Sequence, residues 1–230
     1  TPRDVWDRPR TADSAGGGVT FGFPIGETQR INFGMNIEHT EIREGFAAAQ
    51  EISEFIERNG PDALNFKASL SWIRSTLNRG VFADRGSSQS IGLTFAVPGS
   101  DLEFYRLTYQ GEKYLPLSRL FTLKLRTELG YGDSYGDTPA LPFYEHFFAG
   151  GFGSIRGFEN STLGPRSTPP LDENGNPIIF RSYDNDGRFG QPFGGNLLLE
   201  FSAELIFPLP FVEDNRQFRP ALFFDAGNVF

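Results

Sequence analysis

The sequence predicts an all-β fold, a wall of about eight antiparallel strands from a transmembrane β-barrel. Three observations lead there. Apolar and polar residues alternate in eight stretches, and the connections between them are mostly short at one end and long at the other. Phe and Gly are both abundant, at 25 and 27 residues. Strict alternation is the period of a strand with one apolar and one polar face. A barrel wall in lipid has that form, with apolar residues outward and polar residues toward the lumen.

The first strand carries Val19, Phe21, Phe23 and Ile25, and the second Ile31, Phe33, Met35 and Ile37. A third runs through Leu64, Phe66, Ala68, Leu70 and Trp72, and a fourth through Ile91, Leu93, Phe95 and Val97. The fifth lies near Leu102 to Leu115 with Tyr105, Leu107 and Tyr109 on its apolar face. The sixth has Phe121, Leu123, Leu125, Leu129 and Tyr131. The seventh has Leu197, Leu199, Phe201, Ala203, Leu205 and Phe207, and the eighth Phe218, Leu222 and Phe224. A soluble sandwich would alternate in the same way. Large residues on nearly uninterrupted apolar faces, with Tyr and Trp near strand ends, favour the barrel.

The two longest connections, Ile42 to Asp62 and Gly132 to Gly194, are the second and sixth, so they share an end of the sheet. Short turns at one end and long loops at the other describe an outer-membrane barrel. Within the first long connection, Phe46, Ala49, Ile52 and Ile56 mark a short amphipathic helix that Gly60-Pro61 ends. It packs over the barrel mouth or, less simply, receives a partner.

Composition narrows the function. The formal net charge of -8 disfavours a nucleic-acid partner. Without cysteine there is no disulfide scaffold or thiolate zinc site. No run of about 18 apolar residues suggests a membrane-spanning helix, and the mean hydropathy of -0.33 suits a barrel as well as a soluble chain. The opening TPRDVWDRPR lacks the apolar segment of a signal peptide and reads as an internal start.

The motif FAGGFGSIRGFENSTLGP, 148–165, could be a phosphate cradle or a loop anchored in a cavity by Arg156. Its glycines are spaced G-x-G-x-x-x-G and no helical pattern follows, which rejects a dinucleotide fingerprint. No cofactor is expected. LDENGNP and YDNDGRFG lack a full set of calcium ligands and read as tight turns. His39 and His146 are the only histidines, and no G-x-S-x-G elbow exists, so no catalytic residue and no enzyme are expected. Glu200 and Glu204 fall on the polar register of the seventh strand and Asp225 on that of the eighth. Such carboxylates are solvated in an open pore, or paired with a cation such as Arg156 on an inserted loop.

PFYEHFFAGGFGSIRGFENSTLGP, GGNLLLEFSAELIFPLPF and FFDAGNVF resemble the BamA family of outer-membrane barrel-assembly proteins. TFGFPIGE, STLNRGVFADRGSS and VPGSDLEFYRLTYQGEKYLPL resemble its preceding strands. The likeness implies a place at strands six to thirteen of a sixteen-stranded barrel, a long lumen-inserted loop, and an outer-membrane location. Residues 1–230 would then be part of a C-terminal barrel domain, lacking the POTRA domains and the first and last strands. It also implies that Ile155, Arg156, Gly157 and Phe158 form a loop anchor, with Arg156 meeting Glu204 and Asp225, and with Ile155 and Phe158 shielding the arginine from water. The implied function is folding and insertion of other barrel proteins without covalent chemistry. Its partners would be unfolded barrel substrates, accessory lipoproteins and outer-membrane lipid. The alternatives are a superfamily transporter that secretes a polypeptide, and a diffusion porin.

Overall fold

The computed structural model describes residues 10–44, 49–171, 190–208 and 219–230. They form one antiparallel meander in which all eight strands lie in chain order. The strands are β1 (Arg10–Gly26), β2 (Gln29–Glu44), β3 (Asp62–Ser75), β4 (Gly86–Ala96), β5 (Phe104–Pro116), β6 (Thr122–Ser134), β7 (Leu197–Ile206) and β8 (Ala221–Val229). Each falls on one of the eight alternating stretches. β1 and β2 run further than alternation alone suggests. Their added residues form a polar hairpin extension in which Arg43 lies 3.7 Å from Asp13 and 3.2 Å from Glu41.

Register explains why the alternation is so regular. Phe21, Phe33, Leu70, Leu93, Leu107 and Tyr131 stand side by side across six strands, and all are exposed. A sandwich would bury such a row against a second sheet. Among the described residues there is no second sheet, and the row belongs to a continuous outward apolar band. No helix among them is long and apolar enough to cross a membrane. The strands themselves supply the apolar surface.

The core lies on the opposite, polar face, at the end where the long connections leave. Ala63, Ala96, Leu102 and Phe104 pack there against Leu141 of the β6–β7 connection. Helix α1 (Gln50–Asn59) seats Ile52 against Ile42 and Phe143. Its first N–H groups have no side-chain cap. Instead the backbone N of Gln50 donates to Thr168 O at 3.1 Å, and the Glu51 carboxylate accepts from Thr168 N at 2.8 Å. The helix therefore docks on the second long connection, with Ile52 facing inward. Phe46 of the expected helix face lies outside the described residues, and so does Phe218 of the eighth stretch.

Candidate functional site

Three neighbouring strands present a three-by-three patch on the polar face. In register, Lys124, Glu204 and Phe223 form one row, Arg126, Ser202 and Asp225 the next, and Glu128, Glu200 and Gly227 the third. The period of two puts all nine on one face. The patch is rich in carboxylates, and the β6–β7 connection lays its Gly153–Arg156 segment over it.

Arg156 is the centre of the contact. Its Nε donates to Asp225 Oδ2 at 2.7 Å and its Nη2 to Asp225 Oδ1 at 2.7 Å, a bidentate pair. The backbone N of Arg156 donates to Asp225 Oδ2 at 3.1 Å, and Nη2 also donates to Ser202 Oγ at 3.0 Å. Glu204 Oε1 lies 2.8 Å from Nη1, while its other oxygen is 3.6 Å from Lys124. The guanidinium carbon sits 3.8 Å from the centroid of Phe223, a cation–π contact on the remaining side. Asp225 is only 3% exposed, so its charge depends on these donors. Hydrogen bonding to Asp225 in turn raises the Arg156 pKa above its ordinary value and holds the guanidinium charged.

The neighbouring loop residues read the rest of the patch. Ser154 donates to Glu200 and accepts from the backbone N of Gly150, while Arg126 donates to the carbonyl of Gly153. Ile155 is 3% exposed and lies over Gly227, where an added Cβ would come within 2.8 Å of its Cδ1. At Gly157 the chain turns with φ 93°, a conformation that disfavours a side chain. Sequence reasoning had overlooked Ser154, Arg126 and Phe223. The signal for Phe223 was an aromatic residue on the polar register of its strand.

Phe158 corrects the expectation that two apolar side chains shield the arginine. It is 53% exposed and lines a cleft of about 430 Å³ with Leu163, Pro165, Val229 and Phe230. The left-handed turn at Gly157 separates its direction from that of Ile155. The ring of Phe223 covers the guanidinium instead, while Ile155 is buried over Gly227.

A second polar cluster lies nearer the loop's start. Glu145 Oε1 is 2.7 Å from Lys67 Nζ and Glu145 Oε2 is 3.0 Å from Arg106 Nη1, while Lys67 also meets Glu38 at 2.6 Å. Burial pushes the phenol of adjacent Tyr144 up, so it stays neutral. His146 contacts the carbonyl of Phe193 through Nδ1 at 3.0 Å, and His39 lies 3.8 Å from Asp62. Among the described residues no cluster of His, Asp or Glu could hold a metal ion. All but the first or last residue of the two calcium-like stretches lies outside the described residues.

Residues 3–230 match the Omp85 superfamily domain. The chain belongs to the Omp85 superfamily. Outer membrane protein assembly factor BamA of Neisseria meningitidis serogroup B is 35% identical over 224 residues, covering 94% of this chain and 26% of that protein. A SAM50-like protein of Schizosaccharomyces pombe is 28% identical over 190 residues, covering 82% of the chain and 33% of that protein. The crystal structure of BamA from Haemophilus ducreyi lacking POTRA domains 1–3 superposes with a TM-score of 0.82 at 28% identity, covering 96% of this chain and 42% of that one. The chain thus spans about a quarter and a third of these two curated relatives. Omp85 membership places the sheet in an outer membrane.

Proposed function

We propose that the chain is the central wall of an Omp85 barrel that folds and inserts other β-barrel proteins into the outer membrane. The polar face is then the lumen side of a barrel of about sixteen strands, and the β6–β7 connection is folded into that lumen. No covalent step is involved. The incoming substrates are unfolded barrel proteins, helped by accessory lipoproteins and by the surrounding lipid. The observation that carries this reading is the bidentate Arg156–Asp225 clamp, which spends a long loop on bracing a wall rather than lining an open channel. The assembly role of the BamA relative supports the same reading. Removing one partner of such a buried pair costs about 3–5 kcal/mol, mostly through the stranded charge.

The test is a charge-swap cycle in the full-length protein, with Arg156→Asp, Asp225→Arg and the double swap. Each is scored for retention of the folded band on heated gels and for assembly of a reporter porin. Both singles are expected to fail in both measurements, with partial recovery in the double. Normal porin assembly in all three would remove the clamp from the function. Steady open conductance of the parent in planar bilayers would then favour a porin.

A further inference from the structure

The loop touches the wall through charges of opposite sign at two depths. Near its start it offers a carboxylate, Glu145, to the cations Lys67 on β3 and Arg106 on β5. Further on it offers a cation, Arg156, to the carboxylates Glu204 on β7 and Asp225 on β8. Strand register measures the separation along the strands, to which the three strand steps from β5 to β8 add about 14 Å across them. The row of Asp225 runs through Ser202 and Arg126 to Glu112 on β5. Arg106 lies six residues up that strand from Glu112, or roughly 20 Å at the usual rise. The eleven residues from Glu145 to Arg156 can span this distance without being fully extended.

The upper contact is a built site. Glu145 is 11% exposed and Lys67 10%, so neither charge is left to bulk water. Lys67 has a second carboxylate in Glu38, whereas Glu145 is the carboxylate that faces Arg106. The Arg106 guanidinium also lies 4.4 Å from the centroid of Phe147, two residues beyond Glu145. Glu145 and Phe147 of this segment therefore each have a wall partner, one matched in charge and one in shape.

We propose that Glu145 is a second anchor, of opposite polarity to Arg156, that sets how deep the loop seats. A loop slipped along its own path, which runs diagonally from β5 to β8, would carry Glu145 toward Glu204 and Asp225, or Arg156 toward Lys67 and Arg106. Both displacements bring like charges together in a poorly solvated site. Apolar contacts of Leu141 and Phe143 hold the loop's base but do not discriminate between depths. The ionic pairs do. Glu145 is thus a positioning residue for Arg156, and its role rests on the reading of Arg156 as the loop anchor.

Trypsin gives a readout eleven residues away, at the Arg156–Gly157 bond. In outer membranes holding the full-length protein, that bond is protected while Arg156 is clamped. Glu145→Gln keeps the side chain's shape and removes its charge, and is expected to raise cleavage after Arg156 at least about tenfold, because proteolysis tracks the opened population. Glu145→Asp, which keeps the charge, should stay within about threefold of the parent by the same relation. Arg106→Gln removes the wall side of the contact and should act like Glu145→Gln, which decides the matter if the latter does not fold. Asp225→Asn is the reference that loosens the tip directly. If Asp225→Asn raises cleavage and the other two neutralising variants do not, the second anchor is wrong while the clamp stands. If none raises it, charge holds neither end of the loop and both readings fall.

Discussion

At Arg156 the contacts differ in kind, and neighbouring residues that look alike in sequence do different work. Ile155 fills the space over Gly227, whereas Phe158 points into an open cleft. Ile155→Ala is therefore expected to cost about 2–5 kcal/mol, as for buried aliphatic truncations. Phe158→Ala should change stability by no more than about 0.5 kcal/mol, as for other exposed sites. Urea unfolding of the full-length protein in lipid vesicles measures both, and equal losses would mean that Phe158 also packs. The sequence alone could not separate them, since both are apolar residues flanking the same Arg-Gly pair. The backbone turn at Gly157 makes the difference. By contrast, the placement of Glu204 and Asp225 on one face was legible, because a period of two fixes the side of a strand without knowledge of its neighbours. Ser154 and Glu145 were not legible as contacts. Their partners depend on which rows of the sheet the loop crosses, and no local pattern encodes that.

The strands carry their environment on alternate residues, and β5 offers a direct comparison. Leu107 faces outward within the six-strand apolar row, while Gln110 faces the polar side and donates to Glu128 at 3.1 Å. Leu107→Arg puts a charge against lipid and is expected to cost about 2–4 kcal/mol. Gln110→Arg places the same charge beside a carboxylate and should be nearly neutral, within about 0.5 kcal/mol. Unfolding titrations of the two variants in vesicles would show the contrast, and a similar loss for both would contradict the assignment of faces. All eight strands could be read from the sequence for this reason. Their ends could not. β1 and β2 continue as a polar hairpin beyond the apolar band, where pairing rather than hydropathy sustains the strands. The helix was legible from its apolar spacing. Its N-terminal partner, Thr168, was hidden because it lies more than a hundred residues away in the chain.

For the whole molecule the controlling fact is the open sheet. Among the described residues β1 pairs only with β2, and β8 only with β7, so each leaves an edge. Unpaired strand N–H and C=O groups in lipid cost several kcal/mol apiece, so these edges need partners. Closing β1 directly onto β8 is one solution, but it conflicts with the loop. An eight-stranded barrel has an interior just wide enough for its own side chains. Here Ile155, Arg156, Phe143 and Phe147 of the connection already occupy the polar face, together with helix α1. The wider barrel proposed above would accommodate them. The 230-residue chain alone, refolded with vesicles, is therefore expected to show strand by far-UV circular dichroism yet migrate as multimers joined at their edges. A protein of its relatives' length should instead give a monomeric band that shifts on heating. If the chain alone gave that monomeric, heat-shifting band, β1 and β8 would have to close on each other, with the loop expelled from the polar face. Trypsin would then cleave after Arg156 in the isolated chain, and the bond would stay protected in the longer protein.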